Sequence, residues 1–222
     1  MIRSPAPALV GLPAGVVDAW CVPLRPESAT LASFRAMLSD GERAQAARRR
    51  VDGPAWAAAR GALRAILGYY LGDPGTSLEF ARAPLGKPHL VGHESPHFSI
   101  AWREDLALIG VASDREVGVD LEREREDADV ATLARDHLSL VDQAAIVTAP
   151  AERRRTVFFE AWARHEARRK LHGIALEDPL PDLEEGSVVI VRALNVPAGW
   201  AAAVAAEGST WRVRRREVSE IG

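Results

Sequence analysis

The chain has 222 residues, of which 47% are hydrophobic and 27% are charged, and its formal net charge is −3. This composition is typical of a globular protein, and the net charge argues against a surface that binds nucleic acid through bulk positive charge. Cys21 is the only cysteine, which excludes an intrachain disulfide and a cysteine-based zinc site and suits a reducing compartment. No apolar stretch is long enough to cross a bilayer, and the Pro- and Ala-rich start does not resemble a signal peptide. We therefore expect a cytoplasmic protein that binds neither nucleic acid nor membrane.

The first third of the chain predicts one strand followed by helices. Residues 18–24 predict the strand. Ser39 fits an N-cap with Glu42 at the capping-box position, so a helix is expected to begin there. Residues 53–54, Gly-Pro, interrupt this pattern before a second helix over about 55–71, whose apolar residues recur at helical spacing.

The rest of the chain predicts sheet, then helices, then sheet again. The strand candidates are 78–80, 98–102, 105–112, 116–122, 187–194, 200–206 and 211–218, and the helix candidates are 128–135, 140–148 and 152–171. Residues 86–90 predict a turn, and the strands 105–112 and 116–122 are expected to pair as a hairpin. Helices beside antiparallel sheets in each half of the chain predict an α+β fold.

Two acidic residues on one predicted strand are the first chemical signal. Because side chains alternate along a strand, Asp120 and Glu122 share one face. Two adjacent carboxylates repel each other unless a cation lies between them. The simpler alternative is a polar strand face that meets solvent, and spacing alone favours it.

A helix further along the chain supplies the second signal. Trp162, Glu166 and Lys170 lie at positions i, i+4 and i+8 and therefore share one helix face. An indole on this face indicates partial burial, where an unpaired carboxylate is costly. Glu166 would then complete a set of three carboxylates of the kind that magnesium binds. The alternative is an ordinary surface pair between Glu166 and Lys170.

Five segments, in order, resemble the 4′-phosphopantetheinyl transferases of the surfactin-synthetase-activating type. The strand Gly-Val-Asp-Leu-Glu (118–122) and the helix segment Trp-Ala-Arg-His-Glu-Ala-Arg-Arg-Lys (162–170) match the two central motifs of that family. Upstream, Gly-Lys-Pro (86–88) resembles its turn and 58–64 its arginine-bearing helix, while 197–204 resembles its closing strand. The resemblance covers about residues 38–206.

The resemblance implies a fold and an activity. The fold would be a pseudo-twofold pair of similar α+β lobes, residues 1–112 and 113–222, with coenzyme A in the cleft between them. The activity would be magnesium-dependent transfer of 4′-phosphopantetheine from coenzyme A to a serine of an acyl or peptidyl carrier protein. Adenosine 3′,5′-bisphosphate would be released, and the family implies a role in secondary metabolite biosynthesis. Since both lobes lie in one chain, we expect a monomer.

The resemblance also implies roles for individual residues. Magnesium would be held by Asp120, Glu122 and Glu166 against the pyrophosphate, with Lys170 reaching the phosphates. Glu166 or a bound water would take the proton from the carrier serine. Groups expected near the phosphates and the adenine end of coenzyme A are Arg43, Arg48, Arg60 and Lys87.

Two positions depart from the family pattern. The family usually has Ser-His-Ser after the Phe-x-Leu strand, and its His contacts the 3′-phosphate of coenzyme A, whereas this chain has Ala-Trp-Arg at 101–103. Arg103 could supply the missing charge, or Trp102 could stack on the adenine; in either case the departure is expected at the far end of the cofactor. His165 stands where Lys is common. The departure at Trp102 motivates an alternative, a degenerate relative that binds coenzyme A or a carrier protein without turnover.

Overall fold

The computed structural model describes residues 10–24, 29–174 and 188–221, and within these ranges the predicted elements are recognisable. The strands are β1 Val16–Pro23, β2 Phe80–Arg82, β3 Pro88–Leu90, β4 His97–Arg103, β5 Leu106–Ala112, β6 Val117–Arg123, β7 Val189–Ala193, β8 Trp200–Glu207 and β9 Arg212–Arg216. The α-helices are α1 Ala29–Ala36, α2 Asp40–Arg48, α3 Gly53–Leu71, α4 Val130–His137, α5 Leu140–Thr148 and α6 Arg154–His172. Ser187, the start of one predicted strand, lies outside the described residues.

The two predicted N-terminal helices form for local chemical reasons. Ser39 Oγ accepts from the backbone N–H of Glu42 while the Ser39 N–H donates to Glu42 Oε2, which confirms the capping box of α2. The next helix, α3, begins at Gly53 and not after it. Pro54 is tolerated in the first turn because no intrahelical partner is needed there.

Two sheets, each covered by a long helix, form the body of the protein. The first has the strand order β4-β5-β1-β9 and the second β6-β8-β7, while β2 and β3 form a separate hairpin. Helix α3 packs its buried side chains against the first sheet, and α6 packs against the second. Both helices have 19 residues and end at a left-handed glycine, Gly72 and Gly173. The predicted α+β fold is confirmed.

The predicted hairpin of strands 105–112 and 116–122 is wrong. Strand β5 pairs with β4 and β1, whereas β6 pairs with β8 in the other sheet. The two strands instead pack apolar faces together, closely enough that a Cβ on Gly110 would lie 2.5 Å from Val119 Cγ1. The alternation of side chains along the sequence predicted each strand, but it did not predict which other strand pairs with it.

The predicted turn at 86–90 is shorter than expected. Residues Pro88–Leu90 already belong to β3, which pairs with β2, and β2 begins at Phe80 instead of Leu78. The turn itself lies between the end of β2 at Arg82 and the start of β3 at Pro88.

The last strand returns to the first sheet. Strand β9 runs parallel to β1, and Arg214 binds the fully buried Asp18 through Nε and Nη2 at 2.7 Å each. A buried carboxylate needs such a partner, which fixes β9 beside β1. The division into lobes at residues 112 and 113 remains a proposal, and β9 contributes to the sheet of the first lobe.

No helix in the described ranges combines the length and the apolar character needed to cross a bilayer.

Candidate functional site

The two carboxylates of the Gly-Val-Asp-Leu-Glu strand are buried. Asp120 is 3% exposed and Glu122 6% exposed, although both lie on β6 with alternating side chains. Val119 and Leu121, on the opposite face, belong to the apolar cluster between the sheets. A polar strand face that meets solvent is therefore the wrong interpretation of this spacing.

Gly118 determines how closely α6 approaches these carboxylates. A Cβ at Gly118 would lie 2.1 Å from the carbonyl oxygen of Ala167 and 2.3 Å from the backbone nitrogen of Leu171. Only a residue without a side chain fits between the strand and the helix. The glycine of this motif thus places the C-terminal half of α6, with Glu166 and Lys170, beside Asp120.

Helix α6 contributes a buried indole, a carboxylate and an ammonium group, as its spacing predicts. Trp162 is buried and stacks on Phe158, with the His137 ring at its edge. Lys170 Nζ donates to Asp120 Oδ1 at 2.6 Å, so it binds the strand carboxylate and is not engaged in a simple surface pair with Glu166.

Asp120, Glu122 and Glu166 are electrostatically coupled, and we refer to them as the acidic group. Burial, followed by the charge of Asp120, raises the pKa of Glu166 and likewise that of Glu122. Among the described residues, Asp120 Oδ2 and Glu166 Oε1 are buried oxygens without a hydrogen-bond partner. Unpaired buried carboxylate oxygens are expensive and are typical of sites that bind a cation.

Arg103 lies at the acidic group. Its Nη2 donates to both Glu122 oxygens, at 2.9 and 2.8 Å, and thereby links β4 of the first sheet to β6 of the second. The expectation that the departure at 101–103 lies at the far end of the cofactor remains a prediction, while Arg103 itself contacts a predicted metal ligand. Its neighbour Trp102 alternates to the other side, where the Arg49 guanidinium lies 5.8 Å from the ring centroid.

The acidic group has the donor chemistry of a magnesium site, because carboxylate oxygens are the ligands this ion prefers. The unpaired oxygens of Asp120 and Glu166 fit such a role. However, within the described ranges no three His, Cys, Asp or Glu side chains converge closely enough to hold a metal ion. Lys170 and Arg103 neutralise two of the carboxylates instead. The assignment of Asp120, Glu122 and Glu166 as metal ligands therefore remains a prediction.

Two cavities share lining residues, and the smaller of them reaches Lys170. A cavity of about 710 Å³ is lined by Arg60 and Trp102 among others. A second, of about 340 Å³, is lined by Lys170 and the Gly-Lys-Pro turn. Arg82, Pro88 and Ile100 line both. The two cavities are therefore adjacent. The lining of the smaller cavity includes residues from both halves of the chain.

Of the predicted cofactor-binding residues, Arg60 and Trp102 line the larger cavity. The Arg60 guanidinium lies 3.8 Å from the centroid of the Phe80 ring and donates to Glu42 Oε1 at 2.5 Å. The sequence placed Glu42 only as a helix cap, yet its carboxylate also binds Arg64. Glu42, on the first turn of α2, therefore caps this helix and also orients Arg60 and Arg64 of α3.

Lys87 is held by acceptors of the second half of the chain. Its Nζ donates to Glu116 Oε2 at 2.5 Å, to the Val117 carbonyl at 3.0 Å and to the Leu171 carbonyl at 2.8 Å. An ammonium group has three hydrogens, so all of them are used. The Gly-Lys-Pro turn is thus attached to β6 and to the C-terminal end of α6, where a cation is favourable.

Arg43 and Arg48 lie on α2 and are exposed. Arg43 binds Asp40 and the carbonyl of Leu38. Neither arginine lines the two cavities described above. Their predicted contact with cofactor phosphates remains a prediction.

Two further features were not anticipated or were only weakly indicated. Arg82 lines both cavities, and its place just before the Gly-Lys-Pro turn was the available signal. Burial, followed by the charge of Arg169, lowers the pKa of His165 to about 4. His165 is therefore neutral near pH 7 and does not replace the positive charge of the lysine common in the family.

Comparison with known proteins finds relatives of this chain. The chain is 31% identical over 196 residues to 4′-phosphopantetheinyl transferase HetI of Nostoc sp. (strain PCC 7120). The aligned residues cover 84% of this chain and 79% of that protein. The chain belongs to the 4′-phosphopantetheinyl transferase family. It is therefore a transferase. A putative 4′-phosphopantetheinyl transferase, slr0495 of Synechocystis sp. (strain PCC 6803), is also 31% identical, over 63% of this chain and 58% of its own length. No family model matches the chain.

Proposed function

We propose that the protein transfers 4′-phosphopantetheine from coenzyme A to a serine of an acyl or peptidyl carrier protein in a magnesium-dependent reaction. The observation that carries the proposal is the acidic group, with Asp120 and Glu122 buried and with Asp120 bonded to Lys170, whose side chain lines the smaller of two adjacent cavities. Membership of the transferase family supports the same activity.

Coenzyme A would occupy the two cavities. The larger one offers the Arg60 guanidinium and the Trp102 indole, which suit a nucleotide with phosphate groups and an aromatic base. The smaller one offers Lys170, which suits the pyrophosphate. Arg82 lines both, so it is placed to contact phosphates between them. Trp102 is then a candidate to stack on the adenine.

The transfer requires no nucleophile on the enzyme. The carrier serine oxygen forms a bond to the phosphorus that bears pantetheine, the bond to the bridging pyrophosphate oxygen breaks, and adenosine 3′,5′-bisphosphate leaves. The serine proton passes to Glu166 or to a water beside it. In the metal-free site, burial and then the charge of Asp120 raise the pKa of Glu166. Lys170 stabilises charge on the phosphates.

Asp120, Glu122 and Glu166 would hold the magnesium ion. When bound, the ion neutralises charge on the pyrophosphate and orients it for attack. Its binding needs side-chain adjustment, because Lys170 and Arg103 contact Asp120 and Glu122. The unpaired oxygens of Asp120 and Glu166 are the first available ligands.

We also propose the surfactin-synthetase-activating subtype, a monomer and a cytoplasmic location. The order of the five segments that resemble this subtype supports it. Strands of both sheets in one chain support the monomer, because the cavity beside Lys170 is lined by residues of both halves. The lone cysteine, Cys21, which is free, suits a reducing compartment.

The proposal is tested by incubating the protein with coenzyme A, magnesium and an apo carrier protein. The carrier should gain the mass of one phosphopantetheine group, and adenosine 3′,5′-bisphosphate should appear in equal amount. A carrier with its acceptor serine replaced by alanine is the control. Tight binding of coenzyme A without a mass change would support the alternative, a binding protein without turnover.

A further inference from the structure

Arg103 is a cation supplied by one half of the chain to a carboxylate of the other. It follows Trp102 at the end of β4, and its Nη2 lies 2.9 and 2.8 Å from the two oxygens of Glu122. The Glu122 side chain is 8% exposed, whereas that of Arg103 is 38% exposed. Both oxygens of Glu122 are thus occupied by a group that retains access to solvent.

The acidic group is already balanced by the protein's own cations. Arg103 binds Glu122, Lys170 binds Asp120, and Arg169 Nε lies 3.8 Å from Glu166 Oε1. A divalent ion that enters this group meets three carboxylates and three cations. It gains little attraction unless one of those cations leaves.

The pair between Arg103 and Glu122 differs from the pair between Lys170 and Asp120 in what the carboxylate retains, because the two cations are similarly exposed, 38% and 34%. The Arg103 guanidinium can return to water because it is more than one third exposed. Asp120 Oδ2 and Glu166 Oε1 accept no hydrogen bond, although Arg169 Nε lies 3.8 Å from the latter, whereas both oxygens of Glu122 accept one from Arg103. Among the three carboxylates, Glu122 alone must therefore be released before it can serve as a ligand.

We propose that Arg103 competes with the divalent ion for Glu122 and thereby sets the affinity of the acidic group for that ion. This inference rests on the proposed function, because it assumes that the acidic group binds a divalent ion. Arg103 is then a positioning residue: it holds Glu122 in place without the ion and is displaced when the ion binds.

The direct test is the affinity for Mn²⁺, measured by electron paramagnetic resonance without coenzyme A or carrier protein. Arg103→Met should bind Mn²⁺ about five- to tenfold more tightly than the wild type, because no pair has to be broken. The gain should disappear in the Arg103→Met, Glu122→Gln double variant. Arg103→Lys should stay closer to the wild type because it keeps a cation.

Arg123→Met is the matched control. Arg123 is the residue after Glu122 on β6, but its guanidinium lies over the Trp200 ring on the other side of the strand. This variant removes the same charge and should leave Mn²⁺ affinity within about twofold of the wild type. A gain equal to that of Arg103→Met would show a general charge effect and overturn the inference.

Thermal unfolding gives a second readout. Arg103→Met leaves Glu122 buried beside Asp120 without a partner, so the melting temperature should fall in metal-free buffer. Saturating Mn²⁺ should raise it by more than in the wild type. An unchanged Mn²⁺ affinity in Arg103→Met would overturn the inference, and so would absence of Mn²⁺ binding in both proteins. The carrier-loading assay then decides separately whether the proposed transfer survives.

Discussion

Lys170 Nζ lies 2.6 Å from Asp120 Oδ1, a contact that joins α6 to β6 across fifty residues of sequence. The two residues belong to the two central motifs of the chain. Their contact requires the close packing of helix on strand that Gly118 allows. The geometry of this helix and strand is therefore the basis of the site, and it yields specific expectations.

Gly118→Ala should disturb the site by moving α6. The new methyl group would lie 2.1 Å from the Ala167 carbonyl oxygen, which is backbone and cannot rotate away. Such overpacking costs about 1–3 kcal/mol of unfolding free energy, measured by urea denaturation. We expect transfer activity to fall as well. Gly41→Ala is the control for stability, since its nearest neighbour, Ser39 Oγ, is 4.0 Å away.

Lys170→Met should lower both stability and transfer. Asp120 is buried and would lose its hydrogen-bonded partner, which costs about 1–3 kcal/mol. Lys170→Arg keeps the charge and should recover part of the stability. If Lys170→Met unfolds at the wild-type urea concentration and loads carriers at the wild-type rate, the pair has no role in either property.

Arg60→Met should weaken the use of coenzyme A. The substitution keeps the apolar stem and removes the guanidinium that lines the larger cavity. We expect the KM for coenzyme A to rise about tenfold with a smaller change in kcat. Arg135→Met is the comparison, because Arg135 is 69% exposed and does not line that cavity. Equal effects of the two substitutions would argue against the cavity as the cofactor site.

Acid should weaken the attachment of the Gly-Lys-Pro turn to β6. Burial alone would raise the pKa of Glu116, but hydrogen bonds from His97 and Lys87 outweigh it and lower the pKa to about 2. The carboxylate therefore stabilises the folded state above pH about 4.5, and this contribution is lost as the pH falls toward 2. The stability difference between the wild type and Glu116→Gln should shrink over that interval, as followed by urea unfolding at each pH. A stability difference between the two proteins that stays constant over this pH interval would contradict the expected role of Glu116.

Divalent-ion affinity should fall in mild acid. Because the pKa values of Glu122 and Glu166 are raised, protons compete with the ion at a higher pH than for ordinary carboxylates. Affinity should be constant well above these raised values and decrease as the pH is lowered through them. Titration calorimetry with Mn²⁺ between pH 7 and 5 should show proton uptake by the buffer. Affinity independent of pH would indicate a site elsewhere.

The sequence predicted local structure better than long-range pairing. The capping box at Ser39 and the buried periodicity of α3 follow from neighbouring residues and are confirmed. The separation of β5 from β6 and the return of β9 to β1 depend on contacts distant in sequence. Alternation determines which face of a strand is apolar, but it does not determine which strand lies alongside.

The same limit applies to the site. The spacing of Asp120 and Glu122, and the face shared by Glu166 and Lys170, were visible in the sequence. The contact between Arg103 and Glu122 was not, because it depends on how β4 and β6 of different sheets meet. The use of all three Lys87 hydrogens by the second half of the chain likewise appears only in three dimensions.

The most direct test of the central claim, that the acidic group drives phosphopantetheine transfer, is the intact mass of an apo carrier protein after incubation with coenzyme A and each enzyme variant. The wild type and Glu160→Gln, a control on the same helix, should load the carrier with magnesium and fail after chelation. Glu166→Gln should leave it unmodified. Loading by Glu166→Gln at the wild-type rate, or an unchanged carrier mass with the wild type, would contradict the account.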